Sequence, residues 1–141
     1  MISTPIRNKQ PFEIERLRLD PSESNFLPRL IACLILAEGY SAFYTQTRYA
    51  GSVLNQELGM RYTVGDCEFT AKATEIAEKY LTHQGKRVPS FGPVDGARIW
   101  KGGPHGHLDI NTIPYWKEVE KYFKSGRATF ELKRMATEAC S

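Results

Sequence analysis

The sequence predicts a mainly α (α+β) protein that forms a single domain and carries a small irregular or β segment. Its 141 residues match the usual size of one domain, and a hydrophobic content of 41% suffices for a core without disulfides or metals. Several stretches repeat apolar side chains at helical spacing between capping residues and glycines. Residues 86–113 are instead rich in Gly and Pro, which leaves room for only one or two short strands.

The pattern divides the chain into four parts of one domain. Alternating apolar and charged side chains in FEIERLRL predict that residues 1–22 form an extended N-terminal arm. Residues 23–85 are the predicted helical core, residues 86–113 the Gly- and Pro-rich loop region, and residues 114–141 the C-terminal helices. Because binding groups often sit on loops that a rigid scaffold holds, we expect the loop region to be functional.

The first predicted helix is apolar on nearly every side. Ser24 or Asn25 is a suitable N-cap, and Pro28 is tolerated in the first turn. Apolar side chains then recur at helical spacing at Phe26, Leu27, Leu30, Ile31, Leu34 and Ile35. A helix that is apolar all round is buried, so we predict that this helix is central and ends at Gly39.

Two more helices complete the predicted core. The second spans about residues 46–58 and stops at Gly59. Asp66 is the expected N-cap of the third, which runs to Gly85.

The later part of the chain predicts two short strands and two helices. The strands fall around residues 88–91 and 97–100. Asn111 or Thr112 is the expected cap of the fourth helix, and a last helix begins at about Arg127.

Charge and cysteine content exclude several classes of protein. The formal charge of +3 comes from 19 basic and 16 acidic residues spread along the chain, a mild excess that suits a polyanionic partner such as nucleic acid or cell wall. No helix-turn-helix, zinc-finger or RNA-binding signature is present, so we predict no nucleic-acid partner. Three cysteines without metal-ligand spacing predict reduced thiols rather than a disulfide framework.

The hydropathy pattern bears on location. No apolar run is long enough to span a bilayer, and the first residues lack the apolar core of a signal peptide. We therefore expect no membrane insertion and synthesis in the cytosol, with delivery by other means to any target in the cell wall.

Glu38 is the residue that most suggests catalysis. It places a carboxylate at the end of an apolar helix, where burial and the helix dipole both disfavour the charged form and raise the pKa. A raised carboxyl pKa is what a glycosidase general acid needs, because the acid must hold a proton near neutral pH. The simpler interpretation is that Glu38 only meets solvent there, or pairs with a cation such as Arg48.

Four short segments, in order along the chain, resemble a known family. They are LILAEG, YAGSVLNQ, AKATEIAEKYL and GPVDGARIW, which lie between Leu34 and Trp100, and the resemblance around them spans roughly residues 26–107. In this order they are similar to the cell-wall hydrolase family that includes spore-cortex-lytic enzymes. The chain has Gly39 where that family usually has Ala, and Gln56 where the family signature has Arg.

The resemblance implies a lysozyme-like domain that cleaves the glycan strands of peptidoglycan without a cofactor. It implies Glu38 as the catalytic acid, and it implies four candidates for the lining of the glycan cleft, which are Tyr49, Asn55, Asp95 and Trp100. One acid without an obvious second carboxylate favours a lytic transglycosylase, whereas Asp66 or Glu68 would be the partner carboxylate of a true hydrolase (muramidase). Such an activity would suit a phage-type lysin.

A metal site is one alternative use of the loop region. His105, His107 and Asp109 alternate in sequence, and an extended strand would place all three on one face as ligands. Flanking glycines favour a solvent-exposed turn instead, so we predict no bound metal.

A thiol site is a second alternative. Cys67 follows a helix start, where the dipole lowers a thiol pKa, and His107 could act as its base in a papain-like cell-wall amidase or peptidase. The simpler interpretation is a buried, inert cysteine.

A non-catalytic protein is the third alternative. It would be a small binding or inhibitor protein directed at a phage or host factor, with Glu38 structural and residues 86–114 as the contact surface. A sugar-wide cleft at Glu38 favours the enzyme, and a filled convex surface there favours the binder.

Overall fold

The structure is a computed structural model that describes residues 26–125 and 127–128. The α-helices in these residues are α1 Leu27–Glu38, α2 Tyr40–Leu58, α3 Val64–Cys67, α4 Thr70–Gly85, α5 Pro93–Gly102 and α6 Ile113–Lys124. Two 3-10 turns, Gly106–Leu108 and Ile110–Thr112, join α5 to α6. The described residues contain no β-strand, so the predicted mainly α class is confirmed. None of the helices described is long and apolar enough to cross a bilayer.

Helix α1 is the central element, as its apolar pattern predicts. It packs against α2, α4, α5 and α6. Its residues from Leu30 to Leu34 have no exposed surface. The helix follows Phe26, which provides no side-chain cap, and Pro28 lies in its first turn. The predicted caps, Ser24 and Asn25, lie outside the described residues, as does the predicted arm over residues 1–22.

Glycines set most of the helix ends. Gly39 adopts φ +87° and is the single residue between α1 and α2, so α2 begins at Tyr40 instead of the predicted position 46. The left-handed Gly59 ends α2 as predicted, and α4 ends at the predicted Gly85. Because Gly39 is the whole connection, the C-terminus of α1 and the N-terminus of α2 adjoin.

The start of the third predicted helix is corrected. Asp66 does not cap α4, which begins at Thr70. It instead forms a reciprocal capping box with Thr63 at the start of the short α3. The N-cap of α6 is Thr112, one of the two predicted residues. The predicted last helix includes Arg127, but most of it lies outside the described residues.

The two predicted strands are wrong. Residues 97–100 belong to α5, and residues 88–91 form turns. Helix α5 is buried on all sides from Pro93 to Trp100, including its charged residues Asp95 and Arg98. Residues 97–100 alone are too short for periodicity to distinguish a helix from a strand. The local start signal was present, because Asp95 Oδ2 accepts a hydrogen bond from the Gly92 N–H at 3.1 Å and Pro93 occupies the first turn.

The segment between α5 and α6 is fastened to a buried arginine. Arg98 is 1% exposed, its Nε donates to Thr112 Oγ1 at 2.7 Å, and its Nη2 donates to the Asp109 carbonyl at 2.9 Å. A Cβ on Gly106 would lie 2.0 Å from the Arg98 carbonyl oxygen, so only glycine fits there. We call these four residues the Arg98 clasp. Close packing in the clasp therefore requires one of the glycines of this Gly-rich segment, Gly106.

Candidate active site

Three helix ends meet around Glu38. Glu38 is the last residue of α1, Trp100 and Lys101 lie in the last turn of α5, and Tyr115 lies in the first turn of α6. Helix α1 packs on both of the other helices, which brings side chains from distant parts of the sequence together. We call this group the Glu38 site.

The Glu38 carboxyl is partly buried and held on one side. Trp100 Nε1 donates to Glu38 Oε1 at 3.2 Å, and Trp100 itself has no exposed surface. The Trp100 ring is packed between Phe43 and Tyr80, with centroid separations of 5.5 and 6.1 Å. Because these rings fix the indole, its N–H holds one carboxyl oxygen in place.

Tyr115 closes a second side of the carboxyl. Its hydroxyl is buried and interacts with Glu38, but within the described residues it makes no hydrogen bond of regular geometry. Lys101 Nζ lies 5.5 Å from the Tyr115 ring centroid, where the ammonium group is attracted to the ring face. The Glu38 carboxyl is therefore surrounded by two aromatic side chains, Trp100 and Tyr115, and one cation, Lys101.

The surroundings of Glu38 make its carboxyl harder to ionise than an ordinary glutamate. Burial raises the pKa of Glu38 above its ordinary value, and this effect exceeds the opposing influence of Trp100, Tyr115 and Lys101. Burial and the nearby Glu38 charge raise the pKa of Tyr115, so its hydroxyl keeps its proton. The predicted direction of the Glu38 shift is confirmed. The suggested pairing with Arg48 is wrong, because Arg48 forms an ion pair with Glu68.

Trp100 and Asp95 are buried, although the family resemblance implies that they line a glycan cleft. Trp100 has no exposed surface and Asp95 is 3% exposed. Asp95 caps α5, and Trp100 holds Glu38. A glycan would reach neither side chain without local opening of the structure.

Asn55 and Tyr49 lie further along α2. Asn55 clamps the backbone of Tyr62, donating to its carbonyl at 2.9 Å and accepting from its N–H at 2.9 Å. Tyr49 is 46% exposed, and its ring packs edge-on against Tyr80 at 6.1 Å. With a rise of about 1.5 Å per residue, Asn55 is roughly 22 Å along α2 from Tyr40. The structure therefore brings Trp100, but not Asn55, to the catalytic candidate.

The candidate second carboxylates have other partners. Asp66 caps α3 with Thr63, and Glu68 pairs with Arg48. In the described part of the chain, the charged group that acts on Glu38 is Lys101. The site thus resembles a single-acid arrangement more than a carboxylate pair.

The metal candidates do not share one strand face. His105 precedes the 3-10 turn Gly106–Leu108, so the extended geometry that would align His105, His107 and Asp109 does not occur. Asp109 Oδ1 instead accepts the Asn111 N–H at 2.9 Å. In residues 26–125 and 127–128, no three His, Cys, Asp or Glu side chains form a group suited to a metal ion.

Cys67 has the properties of an unreactive thiol. It is 3% exposed, and burial, with the nearby Asp66 charge, raises its pKa, contrary to the predicted lowering. Its Sγ lies 3.4 Å from the Thr63 carbonyl. Cys67 belongs to α3, which packs on α2 and α4, whereas the turn that contains His107 packs on α5.

Two surface pockets lie near α2, and neither includes Glu38. The Ser52 pocket has a volume of about 190 Å³ and is lined by Arg48, Gly51, Ser52, Asn55, Tyr62, Thr63, Val64 and Cys67. The Leu58 pocket has a volume of about 280 Å³ and is lined by Leu58, Met60, Glu78, Lys79, Thr82, His83 and Lys86.

Sequence reasoning missed Lys101 and Tyr115 at the Glu38 site. Tyr115 lies in an aromatic run whose helical spacing indicates a core position, and its ring is indeed partly buried. Tyr115 and Glu38 are 77 positions apart in the sequence, so no local pattern predicts their contact.

Comparison of the chain with models of known protein families, with curated proteins and with solved structures finds no match.

Proposed function

We propose that the protein cleaves the glycan strands of peptidoglycan, with Glu38 as the proton donor. The observation that carries this proposal is a carboxyl of raised pKa at a helix end, held by the Trp100 N–H and walled by Tyr115. A group in this environment retains its proton nearer neutral pH than an ordinary glutamate, as a general acid requires.

The geometry suggests which oxygen carries the proton. An indole N–H can only donate, and Trp100 Nε1 points at Oε1, so that oxygen accepts and the acidic proton resides on Oε2. The Tyr115 hydroxyl keeps its own proton and limits the water that reaches the carboxyl. Lys101 stabilises the carboxylate that remains after proton transfer.

A single acid fits a lytic-transglycosylase reaction. Glu38 protonates the glycosidic oxygen, the bond from that oxygen to the anomeric carbon breaks, and the carboxylate then removes a proton from a hydroxyl of the same sugar. That hydroxyl oxygen bonds to the anomeric carbon and closes an anhydro ring. Glu38 regains its proton, no water is consumed, and no cofactor is needed.

The test is the release of soluble muropeptides from purified peptidoglycan, with product masses read by mass spectrometry. Glu38→Gln keeps the size of the side chain and an acceptor for Trp100 but removes the acidic proton, so release should fall by roughly a hundredfold or more. Anhydro-sugar ends would identify a transglycosylase, and reducing ends a muramidase.

Glu118→Gln is the matched control for that test. Glu118 is an exposed glutamate on α6 whose carboxylate pairs with Lys121 at 2.8 Å. This variant should release muropeptides like the wild type. Equal release by Glu38→Gln and Glu118→Gln would refute the role of Glu38.

A second candidate is a non-catalytic binding protein. It is favoured by the internal contacts of Asn55, Asp95 and Trp100, which all serve the fold. In this case the contact surface would include Leu108 and Ile110, which are 59% and 73% exposed in the turns after α5. A wild-type protein that releases no muropeptides would favour this candidate over the enzyme.

A further inference from the structure

Helix α2 contacts both the ring and the backbone of Trp100. Phe43 packs on the Trp100 ring with a centroid separation of 5.5 Å. Gln46, three residues further along α2, donates from Nε2 to the Trp100 carbonyl oxygen at 2.9 Å. Residues three apart lie on the same side of a helix, so one side of α2 holds Trp100 at two points.

The Trp100 carbonyl needs a partner from outside its own helix. The N–H of Gly103, the C-cap of α5, donates to the Ile99 carbonyl at 2.8 Å. The next carbonyl in this series is that of Trp100, and its regular helical donor is the N–H of residue 104. Residue 104 is a proline, which has no N–H. The Gln46 amide therefore takes the place of the missing backbone donor.

Trp100 also carries the donor to Glu38. Its Nε1 reaches Glu38 Oε1 at 3.2 Å, which is at the long end of the normal range for a hydrogen bond of this kind. Helix ends fray when their carbonyls lack partners, and Trp100 lies in the last turn of α5. A small displacement of that turn is therefore enough to weaken the contact between the indole and the carboxyl.

We infer that Gln46 is a positioning residue for Glu38, because it fixes Trp100 so that the indole N–H stays on the carboxyl. Its importance for proton transfer rests on the proposed function, but the link itself exists without substrate. The Trp100 hydrogen bond favours the charged carboxylate, so loosening Trp100 should raise the pKa of Glu38 further. Lys101 and Tyr115, the ionisable groups that act on Glu38 in the described residues, are unchanged by a substitution of Gln46.

The first test is an NMR titration of the Glu38 carboxyl carbon in Gln46→Met. Methionine removes the amide donor but has a similar length and helix propensity, so α2 should stay folded, which circular dichroism checks. The acid dissociation constant of Glu38 should fall by about twofold or more, which raises its pKa by about 0.3 or more. Gln56→Met makes the same change at an exposed position of α2 and should leave that pKa within about 0.1.

A second control separates positioning from a general loss of stability. Asn55, also on α2, donates to the Tyr62 carbonyl at 2.9 Å, so Asn55→Leu removes a hydrogen bond of the same kind and length. This variant should unfold at a lower urea concentration but keep the wild-type pKa of Glu38, because Asn55 joins α2 to the segment before α3. An equal rise of the Glu38 pKa in Asn55→Leu and Gln46→Met would overturn the inference.

Hydrogen exchange at the two tryptophan indoles measures the movement of Trp100 directly. In Gln46→Met the Trp100 indole N–H should exchange about fivefold faster or more. Trp116, which is buried on α6, should exchange as in the wild type and is the internal control. Gln46→Lys restores a donor of similar reach, so it should return the Trp100 exchange rate toward that of the wild type. Equal Trp100 exchange in wild type and Gln46→Met would contradict the inference.

A double variant tests whether Gln46 acts through the indole. When Trp100→Phe has already removed the N–H, adding Gln46→Met should raise the pKa of Glu38 by about 0.1 or less. An undiminished rise would show that Gln46 affects Glu38 by another path, and the positioning role of Trp100 in this inference would be lost.

The two proposals can fail separately. Muropeptide release that depends on Glu38, with an unchanged Glu38 pKa in Gln46→Met, would preserve catalysis and remove the positioning role. A raised pKa in Gln46→Met, without muropeptide release by the wild type, would preserve the link from Gln46 to Glu38 and remove the catalytic proposal. If both hold, release by Gln46→Met should persist to higher pH than release by the wild type, because Glu38 keeps its proton longer.

Discussion

The Glu38 site and the Arg98 clasp place opposite charges in the same protein interior with different consequences. Arg98 is 1% exposed, and hydrogen bonds from two of its nitrogens reach Thr112 and the Asp109 carbonyl. Glu38 is only partly buried, and the Trp100 N–H reaches one of its oxygens. In the clasp, a buried charge thus holds the segment between α5 and α6 against α5. In the Glu38 site, the second carboxyl oxygen can carry a proton.

This difference shows how to separate a structural charge from a chemical one. A guanidinium cannot lose its proton in a protein, so burial of Arg98 must be offset by hydrogen bonds, which the clasp provides. A carboxyl can respond to burial by becoming neutral, so the same physics raises the pKa of Glu38. Burial alone therefore does not identify a functional group. A buried group that can still gain or lose a proton is a better candidate than one that cannot.

Arg98→Met should cause the largest loss of stability. The substitution keeps an unbranched apolar chain but removes the donors to Thr112 and Asp109, so the free energy of unfolding should fall by about 3 kcal/mol or more. Urea unfolding followed by circular dichroism measures the change. Arg61→Met alters an exposed arginine and should cost about 0.5 kcal/mol or less. Similar losses in the two variants would contradict the structural role of the clasp.

Trp100→Phe should cause an intermediate loss of stability and should also change the pKa of Glu38, whereas Arg98→Met tests only stability. Phenylalanine retains an aromatic ring against Phe43 and Tyr80 but loses the N–H donor to Glu38, which should cost about 1 to 3 kcal/mol of stability. The hydrogen bond favours the charged carboxylate, so its loss should also raise the pKa of Glu38 further. A titration of the Glu38 carboxyl carbon by NMR measures that pKa.

The same NMR titration of Arg61→Met should reproduce the wild-type pKa of Glu38, because that change is on the surface. A Glu38 pKa that stays constant or falls in Trp100→Phe would show that the indole does not hold the carboxylate. Loss of stability alone, without a change in that pKa, would assign Trp100 to packing only.

The central scaffold was predictable because its signals are local. Helix α1 is apolar on every side, and the glycines at positions 59 and 85 end their helices as the sequence indicates. Helix α5 differs from the predicted strand because residues 97–100 alone are too short for periodicity to distinguish the two structures, and its charged residues Asp95 and Arg98 are buried by tertiary packing. Pro93 and Asp95 nevertheless form a local helix-start signal, which indicates α5.

The candidate acid was predictable, but its surroundings were not. Glu38 follows an apolar helix in sequence, which sufficed to predict the direction of its pKa shift. Trp100 is 62 positions away and reaches Glu38 only because α1 packs on α5. The burial of a residue also depends on tertiary packing. The family resemblance implied that Trp100 and Asp95 line a cleft, whereas the structure encloses both side chains.

Glu38→Gln should produce the smallest stability effect, and its sign depends on pH. The folded protein raises the pKa of Glu38 above the ordinary value of 4.5, so the folded state binds more protons than the unfolded chain just above that pH. Stability contributed by Glu38 is therefore highest below about pH 4.5 and falls as pH rises toward the folded pKa. Glutamine does not ionise, so the variant avoids this loss.

Urea unfolding of wild type and Glu38→Gln from about pH 4 to pH 7 should therefore show a difference that shifts in favour of the variant with rising pH. Glu118→Gln, at an exposed ion pair, should not show this trend. A difference that shifted in favour of the wild type would mean that the fold stabilises the charged carboxylate. Glu38 would then resemble Arg98, as a buried charge whose role is to hold the structure together, and the case for proton transfer at this helix end would be lost.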